Sequence, residues 1–343
     1  MARKTPYHDE YITLSHGSGG ALMQDLIHDV FFRYLDSAPL AQFDDAAELS
    51  LDNTRLAFTT DTFVVKPVFF PGGDIGSLSV SGTVNDLLMK GAQPLWLSLG
   101  FVIEEGFAMH DLVCILESIQ KTCEHAGVSV VTGDTKVVGR GELDGICINT
   151  SGIGSIPEGI QISGSNAKAG DSVIVSGPIG DHGIAVMAER NHLSLKGAIE
   201  SDAAPLTDSV IPLLERFGAS IHVLRDPTRG GIAATLNEIA ESSSVGIILE
   251  ESEVPIRGEV QAVCDLLGFD PLYVPCEGRF QAFVDEAATA DVLSFLQGIE
   301  SCSGAAKIGR VVNSPSGEVL LASVSGGQRI VDMPAGELLP RIC

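Results

Sequence analysis

Short apolar runs of strand length alternate with longer segments of helical periodicity in both halves of the chain, which restricts it to α/β layering. In the first half the spacing predicts a strand over 56–60 ending at Asp61, and a second over 64–70 that Pro71-Gly72-Gly73 closes. A helix follows over 75–89, its small apolar course broken by Asn85 and Asp86. Another, over about 111–125, carries Leu112, Ile115, Leu116, Ile119 and Cys123 on one face and stops at Gly127. A strand over 128–131 leads into Gly133-Asp134-Thr135-Lys136, and 146–153 reads as a further strand. Between about 157 and 170 the pattern lapses into Gly, Ser, Asn and Pro. That lapse separates a unit over 1–156 from one over 170–333, as the length of 343 residues leads one to expect.

The second unit opens with a strand over 172–176, the turn 177–183 and a helix from Ile184. Arg225-Asp226-Pro227-Thr228-Arg229-Gly230-Gly231 later precedes a helix holding Ile232, Leu236 and Ile239. Residues 334–343, with two prolines and a glycine, read as an irregular extended tail. Fully stretched, such a tail reaches roughly 33–36 Å, enough for its last residue to enter a pocket elsewhere.

The net charge of −24 would repel a phosphate backbone, so nucleic acid is not an expected partner. A site for a nucleotide on such a chain must bring its own positive charge, for which carboxylate-bound metal ions are the obvious source. No stretch approaches the ~20 apolar residues that span a bilayer, and residues 1–10 hold no apolar run. A soluble, cytoplasmic protein is expected. The seven cysteines are odd in number and form neither a CxxC pair nor a zinc-ligand spacing, which disfavours disulfides and structural zinc. Cys114, Cys123 and Cys147 fall in apolar periodic segments, whereas Cys343 ends the tail.

Asp44-Asp45, Asp61, Asp86, Asp134 and Asp226 stand at strand ends, a helix interruption or a helix start. Carboxylates at strand ends gather on the sheet edge where open α/β folds bind ligands, and several together call for Mg²⁺. Each is equally a common turn or cap residue, and spacing does not decide between the two. The glycine-rich His16-Gly17-Ser18-Gly19-Gly20 turn before a helix suits a phosphate, as it also suits a surface turn. Walker A, GxGxxG, HExxH and GxSxG patterns are all missing, so any nucleotide chemistry relies on another fold.

Six runs, in order along nearly the whole chain, resemble the HypE family of hydrogenase maturation factors, the carbamoyl dehydratases. They are His16-Gly17-Ser18-Gly19-Gly20, Phe69-Phe70-Pro71-Gly72-Gly73-Asp74-Ile75-Gly76, Val80-Ser81-Gly82-Thr83-Val84-Asn85-Asp86, Val131-Thr132-Gly133-Asp134-Thr135-Lys136-Val137-Val138, Gly180-Asp181-His182-Gly183 and Pro340-Arg341-Ile342-Cys343. The tail is the most specific of them. The Asp44-Asp45-Ala46-Ala47 and Gly133-Asp134-Thr135 elements are shared with the wider aminoimidazole ribonucleotide synthetase-like superfamily of ATP-binding proteins.

The resemblance implies a two-domain α/β fold of that type, paired into a homodimer through the sheets of its N-terminal domains. It implies that the carbamoyltransferase HypF loads a carbamoyl group onto the terminal thiol. ATP then drives dehydration of that group to a thiocyanate, and the cyano group passes to hydrogenase iron through the HypC–HypD scaffold. By the same resemblance Asp45, Asp61, Asp86, Asp134 and Asp226 hold Mg²⁺ and ATP, with His16, Gly17, Gly19 and Gly20 near the nucleotide. Lys136 stabilises charge on the phosphoryl or the carbamoyl oxygen, Glu277 is the base for the amide proton, and Cys343 is the carrier. One departure stands out: the family's Asn before the Glu-Gly pair is Cys276 here, which removes an amide that would orient Glu277 or the substrate; Cys276 itself reads as a packed cysteine or as a second thiol near the site. Relatives acting on free small molecules fit less well. No Cys precedes the His16 loop as in selenophosphate synthetase, and thiamine phosphate kinase or aminoimidazole ribonucleotide synthetase chemistry needs no Cys-ended tail. A non-enzymatic scaffold whose tail docks into a partner is the remaining reading.

Overall fold

The computed structural model of the chain describes residues 13, 16, 20–31, 42, 44–51, 54–193, 199–334, 336, 339, 342 and 343. Gly17, Gly19, Pro340 and Arg341 lie outside the described residues. A short helix α1 (Ala21–Leu26) precedes the first sheet, which comprises β1 (Ala47–Leu51), β2 (Thr54–Phe63), β5 (Gln93–Glu104), β6 (Ser129–Val138) and β7 (Ile146–Ile156). Its order is β1-β2-β7-β5-β6, antiparallel except for the parallel β5–β6 pair. Along β7 buried and half-buried residues alternate strictly, so the strand turns one face to the core. That face is covered by α2 (Ile75–Met89), against which α3 (Met109–Ala126) packs.

Asp74 starts α2: its Oδ1 accepts from the Gly76 and Ser77 amides, and the Ser77 hydroxyl accepts from the Asp74 amide. Such a capping box contributes on the order of 1 kcal/mol. α2 is apolar on nearly every side because it is enclosed on nearly every side, with Leu78, Val80, Val84, Leu87 and Leu88 fully buried. Gly82 is small because Phe63 crosses it; a Cβ there would lie 2.8 Å from the ring. Gly127 (φ +69°) stops α3 as expected.

The second sheet has the order β14-β13-β10-β12-β8-β11-β9. Its strands are β8 (Ser172–Val175), β9 (Ile221–Arg225), β10 (Gly246–Glu250), β11 (Gln281–Val284), β12 (Ala306–Val312), β13 (Val319–Ala322) and β14 (Gln328–Ile330). Helices α4 (Asp181–Arg190), α5 (Thr207–Phe217), α6 (Gly231–Ser242), α7 (Gly258–Leu267) and α8 (Thr289–Gln297) complete this half. The two halves share a core: α5 packs on α2, and one apolar cluster runs from Leu78 and Ile148 through Leu213 and Phe280 to Ile342.

Two expectations are corrected. The segment 64–70 is no strand; Pro67 follows a cis peptide, and pairing is confined to the hairpin β3 (Phe69–Phe70) and β4 (Gly73–Asp74). The strand expected over 128–131 does not end there. It runs on to Val138 because the β5 register carries through to Glu104↔Val138. Asp134 and Lys136 therefore project from mid-strand instead of following a strand end. No helix among the described residues is long and apolar enough to cross a membrane.

Candidate active site

Where β2, α2, the β9–α6 turn and the tail meet, a cavity of about 290 Å³ is lined by Asp45, Asp61, Asp86, Asp226, Glu277 and Cys343. Each carboxylate is delivered by its own element. Asp45 precedes β1, and its neighbour Asp44 is fixed by the Lys90 ammonium, the Ser163 hydroxyl and the Gly164 amide. Asp61 lies near the end of β2. Asp86 is the polar interruption of α2, and its carboxylate accepts from the Thr59 hydroxyl at 2.8 Å. Asp226 follows β9 directly.

One carboxylate oxygen each of Asp45, Asp86 and Asp226 lies within 4.8 Å of the others, a donor set suited to a hard divalent cation. Burial raises all three acids, and mutual repulsion adds to it: Asp86 and Asp45 stand well above the carboxylate range, and Asp226 reaches about 6. Asp61 lies beside this trio, 3.5 Å from the Arg229 guanidinium, and burial raises it too.

Two arginines line the cavity. Arg225 pairs with Asp45 at 3.1 Å and Glu238 at 2.5 Å. Arg229 faces Asp61, and Cys343 first, then Asp61 and Glu277, favour its charged form. Gly230 (φ +75°) and Gly231 (φ +61°) make the turn that carries Arg229 to this position. A Cβ on Gly231 would lie 2.6 Å from the Leu272 carbonyl oxygen.

Cys343 is half-buried at the cavity wall, while Ile342 before it is 3% exposed in the core. The last two residues are therefore seated in the protein. The Cys343 thiol is pushed up to about 12, first by burial and then by Glu277 and Asp61, with Arg229 opposing.

Glu277 is 2% exposed and raised well above its usual range by burial and by Asp226, Asp61 and Asp202. Its Oε1 has no hydrogen-bond partner among the described residues. Its backbone is held at both ends: the Asn85 amide donates to the Glu277 carbonyl, and the Glu277 amide donates to Asp202 Oδ1, each at 3.1 Å. Cys276 does not line the cavity. It is fully buried in a separate apolar cluster of the second half with Val175, Ile179 and Phe283, and its Sγ accepts from the Gly180 amide at 3.2 Å. The Glu277 backbone is thus placed by Asn85 and Asp202.

Asp134 and Lys136 do not line this cavity. They sit 3.8 Å apart on the edge strand β6 with side chains 76% and 71% exposed. His16 and Gly20 are buried but off the cavity wall. Gly20 lies against the root of the tail, where Ala21 N donates to the Pro334 carbonyl at 2.9 Å, and Met23 in α1 reaches the cavity. The sequence assigned no role in the site to Arg225, Glu238, Arg229 or Asn85. The Arg in Asp226-Pro227-Thr228-Arg229-Gly230-Gly231 was the one available signal, a cation placed next to a candidate ligand on a glycine turn.

Residues 43–156 match the AIR synthase related protein N-terminal domain, and 168–322 match the corresponding C-terminal domain. Carbamoyl dehydratase HypE of Bradyrhizobium diazoefficiens is 46% identical over 341 residues, covering 99% of each chain. A crystal structure of a HypE–HypF complex matches at TM-score 0.86 and 45% identity, over 90% of this chain and 99% of the other. A hydrogenase maturation protein HypE in complex with ATP matches at TM-score 0.82 and 44% identity, over 96% of this chain and 100% of the other.

Proposed function

Because the chain belongs to the HypE family of carbamoyl dehydratases, we propose that it dehydrates an S-carbamoyl group on its own Cys343 with ATP, supplying the cyanide ligand for nickel–iron hydrogenase maturation. The observation that carries this reading is the seating of Cys343 in one cavity with Glu277 and the carboxylate trio. The amide oxygen is a poor leaving group, so it first attacks the γ-phosphorus of ATP and ADP departs. One of the two N–H protons is lost to solvent, leaving an O-phosphorylated imidate; Glu277 then takes the second proton from nitrogen, the C–O bond breaks with phosphate as leaving group, and the carbon–nitrogen triple bond forms. ADP and phosphate are expected in one-to-one ratio with thiocyanate, and only when Cys343 carries the carbamoyl group. ATP turnover at the same rate without that group would contradict the reading.

Asp45, Asp86 and Asp226 would hold Mg²⁺, with Asp61 beside them; bound there, the ion neutralises charge on the phosphates. This assignment has a pH signature. A carboxylate whose folded pKa is raised favours the folded state at low pH and loses that contribution as pH rises between its unfolded and folded values. For Asp226 the window is between 3.8 and about 6. The ligand-free protein should lose stability across that window, and Mg²⁺·ATP, which needs the ionised acids, should bind more tightly as pH rises and release protons. Calorimetry in buffers of different ionisation enthalpy checks this, and proton uptake on binding would be the wrong sign.

The chain would work as a homodimer. All but the last residue of β6 are exposed, including Val131 (61%) and Val137 (69%), an edge that monomers avoid. Pairing there would place Asp134 and Lys136 at the junction of two subunits, where Lys136 could meet developing charge. Val131→Lys together with Val137→Lys should convert the dimer to monomer in sedimentation and reduce dehydration. Unchanged sedimentation would remove β6 as the interface. HypF as carbamoyl donor and a HypC–HypD complex as acceptor follow from the same family membership. Seven cysteines without a disulfide suit the reducing cytoplasm.

A further inference from the structure

Gly180-Asp181-His182-Gly183 has no part in the chemistry above, yet its histidine touches the tail. His182 is fully buried in the first turn of α4. Its Nδ1 lies 2.7 Å from Ser201 Oγ and its Nε2 lies 3.0 Å from the Ile342 carbonyl oxygen. The proton assignment follows from the partners. The Ile342 carbonyl only accepts, so Nε2 carries the hydrogen and Nδ1 accepts the hydroxyl hydrogen of Ser201. Ser201 Oγ in turn accepts from the Ala203 amide at 3.0 Å. Phe70 stacks edge-on to the imidazole with ring centroids 5.4 Å apart, fixing its plane. Burial lowers the histidine's pKa, in keeping with a neutral ring.

The next residue, Asp202, accepts the Glu277 amide hydrogen. One short segment, 201–203, therefore sets both the ring that grips the carbonyl before Cys343 and the backbone that carries Glu277. We propose that His182 is a positioning residue: as the Ser201-oriented Nε2–H tautomer it latches the Ile342 carbonyl and registers the Cys343 S-carbamoyl group against Glu277. This rests on the dehydratase reading for its consequence, though not for its geometry.

Two readouts on His182→Leu, His182→Gln and Ser201→Ala test it. The first is the rate at which iodoacetamide alkylates Cys343 in uncarbamoylated protein, read on the C-terminal peptide so that other cysteines do not interfere. The second is the single-turnover rate of water loss from protein already carbamoylated at Cys343. For His182→Leu, alkylation should be about tenfold faster and water loss about tenfold slower, the order expected for one lost buried hydrogen bond, with ATP affinity unchanged. Gln, whose amide still donates at that reach, should restore part of both. Ser201→Ala removes one hydroxyl only and should move both rates in the same directions, which covers the case of a misfolded Leu variant. Wild-type alkylation and water-loss rates in folded His182→Leu and Ser201→Ala would overturn the latch. If wild-type carbamoylated protein itself loses no water, the dehydratase reading fails instead, and the alkylation rates alone decide the latch.

Discussion

Cys343→Ala is expected to abolish thiocyanate formation completely while leaving the fold and ATP binding intact. The substitution removes only the thiol. Ile342 stays packed in the core and the carboxylate trio is unchanged, so nothing else that the cavity uses is lost. The state of that thiol matters as much as its position. With its pKa near 12 inside the cavity, it is neutral at physiological pH and a poor nucleophile there. A neutral S-carbamoyl group suits the same surroundings better than a thiolate. Retention of dehydration by Cys343→Ala in a full maturation assay would place the carrier elsewhere.

The second large effect is expected at Glu277. Glu277→Gln should slow water loss from carbamoylated protein by about 10²–10⁴-fold, the usual range for removing a general base. Thermal stability should move the other way. The folded pKa of Glu277 is raised, so at neutral pH its ionised form carries a penalty from burial, from an unpartnered Oε1 and from neighbouring acids. Gln removes that charge, and Tm should be equal or higher at pH 7.5. The difference should fade as pH falls towards 4, where both forms are neutral. A lower Tm with unaltered water loss would make Glu277 structural.

Local signals were legible in the sequence and long-range ones were not. α2 begins and ends where its spacing puts it, because the Asp74 cap and the apolar run are both local. The segment 64–70 was misread because its apolar residues serve a core and a hairpin, not a ladder. β6 was cut short because Gly133 and Asp134 are turn residues by habit, and the parallel pairing with β5 that overrides them is invisible to local pattern. In the site, Asp45, Asp86 and Asp226 could be nominated individually, yet their convergence depends on three elements spread over 181 positions of numbering. The same limit hid Asn85 and Asp202, which hold the Glu277 backbone from elements distant in sequence. Cys343 was named as the working thiol from the family resemblance that the tail carries. Its seat in the cavity and the residues that set its pKa required the fold.

Intact-mass spectrometry of protein carbamoylated at Cys343, with and without ATP and Mg²⁺, tests the central claim most directly. The account predicts loss of one water from the C-terminal peptide when ATP is present, and no change when ATP is omitted. Persistence of the carbamoyl mass after ADP has been formed, or loss of water without ATP, would contradict it.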